Sequence, residues 1–78
     1  MLVLTMDEGY ILSNKFRRVI FDGIATGETD INIIIKKQRI VPIVAKKIID
    51  EFISVGIVEK KGSKYVLTKE GEKLAEKI

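Results

Sequence analysis

A chain of 78 residues has room for one hydrophobic core, so a single domain spanning residues 1–78 is the expectation. It holds neither cysteine nor histidine, which excludes disulfides, thiol chemistry and the usual zinc sites and leaves packing and self-association to hold a small core together. The formal net charge of +3 is too small to point to nucleic acid by itself, but residues 31 to 49 carry five basic side chains and no acidic one.

Met1 to Met6 is apolar, lacks a basic leader and falls well short of the roughly 18 residues of a membrane span, so the expected compartment is the cytoplasm. Asp7-Glu8-Gly9 reads as a turn, and residues 1–12 as an N-terminal extension. Ser13 is the expected N-cap of a first helix over 13–26, because its hydroxyl can satisfy an orphan amide of the first turn. Phe16, Val19, Ile20 and Ile24 recur at helical spacing, with Arg17, Arg18 and Asp22 on other faces and Gly27 as a stop. Gly23 within this helix costs about 1 kcal/mol relative to alanine and marks the close approach of another element.

Glu28-Thr29 leaves room for a very short strand, and Asp30 can cap the next element. Ile31 to Ile35 is ambiguous, since a β-branched run suits a strand as well as a helix. Ile31, Ile34 and Ile35 nevertheless share one helical face while Asn32, Lys36 and Lys37 fall away from it, which favours a second helix over 30–37. Gln38 to Val41 form a tight connection. Pro42 suits the first turn of a third helix over 42–55, where its missing amide hydrogen is not needed, and Ala45, Ile48, Ile49 and Phe52 form its buried stripe before Gly56 ends it. Residues 57–68 read as a β-hairpin turning at Lys61-Gly62-Ser63. Thr68 then caps a C-terminal helix over 69–78, in which Glu70 suits the positive end of the dipole, Leu74 and Ile78 lie one turn apart, and Lys73 and Lys77 can pair with glutamates.

The order is helix, helix, helix, hairpin, helix: mainly α with a small β-hairpin. From Leu12 onward it resembles the winged helix-turn-helix superfamily, most of all small regulators of the multiple-antibiotic-resistance (MarR) and arsenic-repressor (ArsR) types. Leu12-Ser13, Arg17 and Ile20-Phe21 are similar to the first-helix pattern of the latter. Ile31, Ile34 and Ala45 through Phe52 sit where the superfamily keeps its helix-turn-helix core. The most specific piece is Gly56-Ile57-Val58-Glu59, Gly62, Tyr65-Val66-Leu67-Thr68 and Glu70-Gly71, which resembles the passage from the third helix through the wing to the last helix.

An unopposed basic cluster of Lys36, Lys37, Arg39, Lys46 and Lys47 is what a duplex-facing surface requires, because neutralising phosphates supplies most non-specific affinity; ordinary solvated surface is the competing reading. The resemblance implies a DNA-binding transcriptional regulator. Its third helix would enter the major groove with Lys46 and Lys47 on bases or phosphates, Lys36, Lys37 and Arg39 would hold flanking phosphates, and Lys60, Lys61 and Lys64 on the wing would reach the adjacent backbone or minor groove. Where these families show small polar or basic residues, this chain has Val41, Pro42, Ile43 and Val44. Ile43 can touch a thymine methyl, but it cannot make the bidentate hydrogen bonds that discriminate bases. The alternative is therefore a protein-interaction module that docks through Ile43 and Val44.

No nucleophile, base and oxyanion constellation can be assembled from these residues, so no enzymatic activity, cofactor or metal is expected, and the metal-sensing of the arsenic-repressor type lacks its ligands. A homodimer is expected on the resemblance, with Met1 to Met6, Tyr10, Ile11 and the last helix as interface material.

Overall fold

The structure, a computed structural model, describes residues 8–77. Within them the chain forms α1 (Glu8–Leu12), α2 (Lys15–Ala25), α3 (Ile31–Gln38), α4 (Pro42–Ser54), β1 (Val58–Lys61), β2 (Lys64–Leu67) and α5 (Lys69–Lys77). The architecture is mainly helical with one antiparallel hairpin, β1 paired to β2.

The start of the chain departs from expectation. Glu8 and Gly9 belong to a helical turn rather than to a loop, and the N-cap of the next helix is Asn14, not Ser13. The Asn14 side-chain oxygen accepts from the amides of Phe16 (2.8 Å) and Arg17 (3.1 Å). Ser13 is spent on closing α1: its amide donates to the Gly9 carbonyl at 2.9 Å, and its hydroxyl to the Tyr10 carbonyl at 3.2 Å. The inward stripe of α2 is also rotated from the expected one. Ile20, Phe21 and Ile24 are buried and Val19 partly so, whereas Phe16 is 40% exposed. The residue at the matching inward position of the first turn is Arg17, three and four residues before Ile20 and Phe21.

Arg17 can occupy that position because its charge is answered there. Its guanidinium stacks 4.2 Å from the centre of the Tyr10 ring, and its Nε lies 3.6 Å from the Glu51 carboxylate of α4. The Tyr10 hydroxyl donates to the same carboxylate at 2.7 Å. Three side chains from α1, α2 and α4 thus close the polar edge of a core whose buried members, among the described residues, are all apolar.

Gly23 marks a close approach, as the sequence suggests: a Cβ there would lie 2.9 Å from Ile34 Cδ1, so α3 packs directly on the α2 backbone. Asp30 caps α3 by accepting from the Asn32 amide at 2.9 Å. On α4 the stripe Ala45, Ile48, Ile49 and Phe52 is buried throughout, and the Phe52 ring meets Phe21 and Tyr10 edge to face.

Lys61 pairs with Lys64, so the hairpin loop is only Gly62-Ser63, with Gly62 at φ +64 as a type II′ turn requires at its first position. Glu28-Thr29 forms no strand; the Glu28 amide helps to close α2 by donating to the Gly23 carbonyl at 3.0 Å, and the Thr29 carbonyl accepts from the Tyr65 amide at 3.0 Å. Thr68 starts α5 by accepting from the Gly71 amide at 3.1 Å and also donates to the Gly56 carbonyl at 2.6 Å, which ties this helix to the end of α4. Gly71 packs so closely that any Cβ would collide with the Ile57 carbonyl. Lys73 pairs with Glu70 at 3.9 Å on open surface, where such pairs add little stability.

Some residues expected at a dimer surface take part in the fold of the chain itself. Ile11 and Leu74 are buried in the core and Tyr10 is bound to Glu51, so those residues are already engaged within the chain; Met1 to Met6 and Ile78 lie outside the described residues. Among the described residues no helix is long and apolar enough to cross a membrane.

Burial, and then the hydrogen bond to Glu51, push the Tyr10 phenol up to about 12. The folded state therefore favours the protonated phenol, so this contribution to stability is complete below the ordinary value of 10.0 and is lost as pH rises from there to about 12. Thermal unfolding across this range should fall more steeply for the wild type than for Tyr10→Phe, which at neutral pH should already be weakened by about 1 kcal/mol through the lost hydrogen bond. Equal pH slopes would show that the phenol is not held as described.

Candidate nucleic-acid interface

The connection between α3 and α4 determines how the basic side chains are displayed. It closes α3 with a pair of backbone hydrogen bonds, Ile40 amide to Ile35 carbonyl (3.0 Å) and Arg39 amide to Lys36 carbonyl (3.4 Å). This is a Schellman motif, which needs a left-handed residue at the turn. Arg39 takes that conformation at φ 53 and ψ 48. The ends of α2 and α4 close in the same way with Gly27 (φ +106) and Gly56 (φ +89) in the equivalent place. Arg39 is the sole non-glycine residue with positive φ among the described residues. Ile40, buried at the next position, anchors the turn and leaves the Arg39 side chain on the surface.

The buried stripe of α4 dictates what its other side presents. Opposite Ala45, Ile48, Ile49 and Phe52 lie Ile43, Lys47, Asp50 and Ser54, all exposed. Lys46 sits on the flank toward the hairpin, where it lines a shallow depression with Ile31, Ile49, Asp50 and Tyr65. The Lys60 ammonium lies 5.8 Å from the centre of the Tyr65 ring, within cation–π range. Tyr65 therefore joins Lys46 of α4 and Lys60 of β1 into one surface.

Other expected site residues separate from this group. Lys61 and Lys64 face one another across the hairpin end, and the alternation of strand side chains sets them on the opposite sheet face from Lys60 and Tyr65. Lys37 lines a different depression, between α2 and α3, together with Asp22 and Glu28, as Lys46 shares its own with Asp50. Lys36 and Arg39 are exposed at the end of α3, beside the negative end of its dipole. Among the described residues the ion pairs are Arg17 with Glu51 and Lys73 with Glu70, so none of the expected basic site residues is held in one.

Two residues of this surface were missed by the sequence reading. Asp50 falls just beyond the acid-free stretch, yet its spacing of three from Lys47 puts it on the same outer face. Tyr65 reads as an ordinary strand aromatic, and its role as the bridge between Lys46 and Lys60 depends on a tertiary contact with no local signal. The apolar residues at the leading end of α4 are open to solvent: Val41 is 59% exposed, Ile43 77% and Val44 36%. No group of three or more acidic side chains among the described residues could hold a metal ion.

Comparison with protein-family models, with curated proteins and with solved structures finds no match for this chain.

The left-handed backbone at Arg39 costs about 1–2 kcal/mol for a residue with a Cβ. Arg39→Gly should consequently leave thermal stability unchanged or raise it, by up to about 1 kcal/mol after the extra entropy of glycine in the unfolded chain. A marked loss of stability, measured by denaturant unfolding, would show instead that the Arg39 side chain supports the fold.

Proposed function

We propose that this chain is a winged helix-turn-helix domain that binds double-stranded DNA as a small transcriptional regulator. In this reading α3, the Arg39 turn and α4 form the helix-turn-helix, α4 lies in the major groove, and the β1–β2 hairpin is the wing on the adjacent backbone or minor groove. The observation that carries it is the set of exposed basic side chains outside the ion pairs of the described residues, running from Lys36 and Arg39 to Lys46 and Lys47 and, through Tyr65, to Lys60. Of these, Lys46 and Lys47 lie in the leading half of α4, and Arg39 stands at the turn just before it. Asp50 and Glu51 occupy the second half.

Within this reading Lys46 and Lys60 hold one stretch of backbone from the two sides of Tyr65. Lys47 points outward toward bases or phosphates, and Lys36 and Arg39 hold flanking phosphates. Lys61 and Lys64 stand on the opposite sheet face from Lys60 and Tyr65, so in this reading the wing holds the backbone chiefly through Lys60. Lys37 contributes least, because it lies apart from this group, in the depression between α2 and α3. A symmetric homodimer would present two such helices to successive major-groove turns about 34–36 Å apart; the exposed Leu12 and Phe16 are apolar surface left for self-association. A second reading, a protein-docking module, is favoured by the exposure of Ile43 and Val44 on the same face.

The charge-reversal pair Lys46→Glu and Lys47→Glu separates these readings. Both positions are exposed, so the helical circular dichroism should be unchanged while retention of a random duplex in a gel-shift assay is abolished. Lys37→Glu should weaken retention far less, and wild-type retention should fall steeply with added salt. Absence of any duplex retention by the wild type at low salt would sink the DNA reading.

A further inference from the structure

Ile43 has the largest fractional exposure of any large apolar side chain among the described residues, and Val41 comes next. Neither is needed by the core, which is complete on the opposite side of α4 through Ala45, Ile48, Ile49 and Phe52. With Val41 and Val44 beside it, Ile43 forms an apolar patch at the leading end of α4 that is placed to meet apolar surface on a partner.

The charges around Ile43 restrict what that partner can be. Lys47 follows it one turn later on the same face, Lys46 flanks it, and Arg39 stands at the turn just before α4. The first carboxylates along the helix are Asp50 and Glu51, about two turns beyond Ile43. A polyanion is thus attracted to the leading end of α4 and repelled by its second half, so the leading end would approach most closely, with Ile43 ahead of the lysines. In a major groove every base edge offers donors or acceptors that isoleucine cannot satisfy, and the one apolar group is the C5-methyl of thymine.

We infer that α4 reads thymine through its C5-methyl group, with Ile43 as the contact residue and Val41 or Val44 bordering it. The inference rests on the duplex-binding reading and adds the base that the site selects. Specificity of this kind comes from methyl contacts, while Lys46, Lys47 and Arg39 supply affinity that is blind to sequence.

The test uses the wild-type chain and duplexes enriched from a random pool for retention. Each enriched duplex is then prepared twice, once with thymine and once with deoxyuridine in its place, which removes the methyl groups and keeps every hydrogen-bonding edge. Wild type should bind the deoxyuridine form about four-fold more weakly for each methyl in contact, the ratio that burial of one methylene-sized group gives. Ile43→Ala should lose most of the difference between the two forms while keeping salt-dependent retention of the duplex. Equal affinity of the wild type for the two forms would overturn the methyl readout and leave duplex binding standing. If the wild type retains no thymine duplex at low salt, duplex binding fails and the methyl readout falls with it. In that case a protein partner on Ile43 and Val44 becomes the account of their exposure.

Discussion

Phe52 has no exposed surface and meets the rings of Phe21 and Tyr10 edge to face, at centroid distances of 6.1 and 6.3 Å. Those three rings come from α4, α2 and α1, so this contact fixes the rotation of α4 about its own axis. With Phe52 turned inward, Ala45, Ile48 and Ile49 follow it by helical spacing, and Ile43, Lys47 and Asp50 can only face outward. Deleting an aromatic ring at such a position removes about 3–5 kcal/mol of stability in typical cores, a large share of what a domain this size has in total.

The neighbouring contacts hold the remaining elements in fixed relation to that helix. Glu51, the residue before Phe52, accepts the Tyr10 hydroxyl and lies beside the Arg17 guanidinium, so the α1 and α2 starts are held at the polar margin of the same helix. At the other end Gly56 turns the chain into Ile57 and Val58, both buried, while the Thr68 hydroxyl donates to the Gly56 carbonyl. The hairpin is then held against the helices by the Tyr65 amide on Thr29. This is why Tyr65, Lys46 and Lys60 share one surface although they come from different elements. On the proposed reading the groove-facing side of α4 combines apolar contact at its tip with positive charge behind it, so that affinity and selection are carried by different side chains.

Elements whose signals are local were legible in the sequence. Asp30 caps α3, Pro42 opens α4, Thr68 caps α5, and Gly23 lies under Ile34, each for the reason its residue type suggests. The misreadings came from competition between adjacent candidates and from tertiary contacts. Ser13 and Asn14 are both good caps, and the choice fell to Asn14 because a preceding helical turn had already engaged Ser13. Arg17 looked like surface, and it faces inward because Tyr10 and Glu51 receive it there. In the candidate site, the exposure of Ile43, Lys46 and Lys47 follows from the stripe of α4. The partition of the lysines does not follow: Lys37 lies beside Asp22 and Glu28, and Lys61 and Lys64 stand on the far face of the hairpin, both consequences of how elements distant in sequence meet.

On the proposed reading one continuous face, formed by the Arg39 turn, the leading end of α4 and the Tyr65 side of the hairpin, receives duplex DNA. The most direct test of that reading is titration of the isotope-labelled chain with a short duplex, following amide and side-chain methyl resonances residue by residue. The account predicts that shifts concentrate at Arg39, Ile43, Lys46, Lys47, Lys60 and Tyr65, while α1 and α5 stay silent. Shifts confined to the surface around Leu12 and Phe16, or no shifts at low salt, would contradict it.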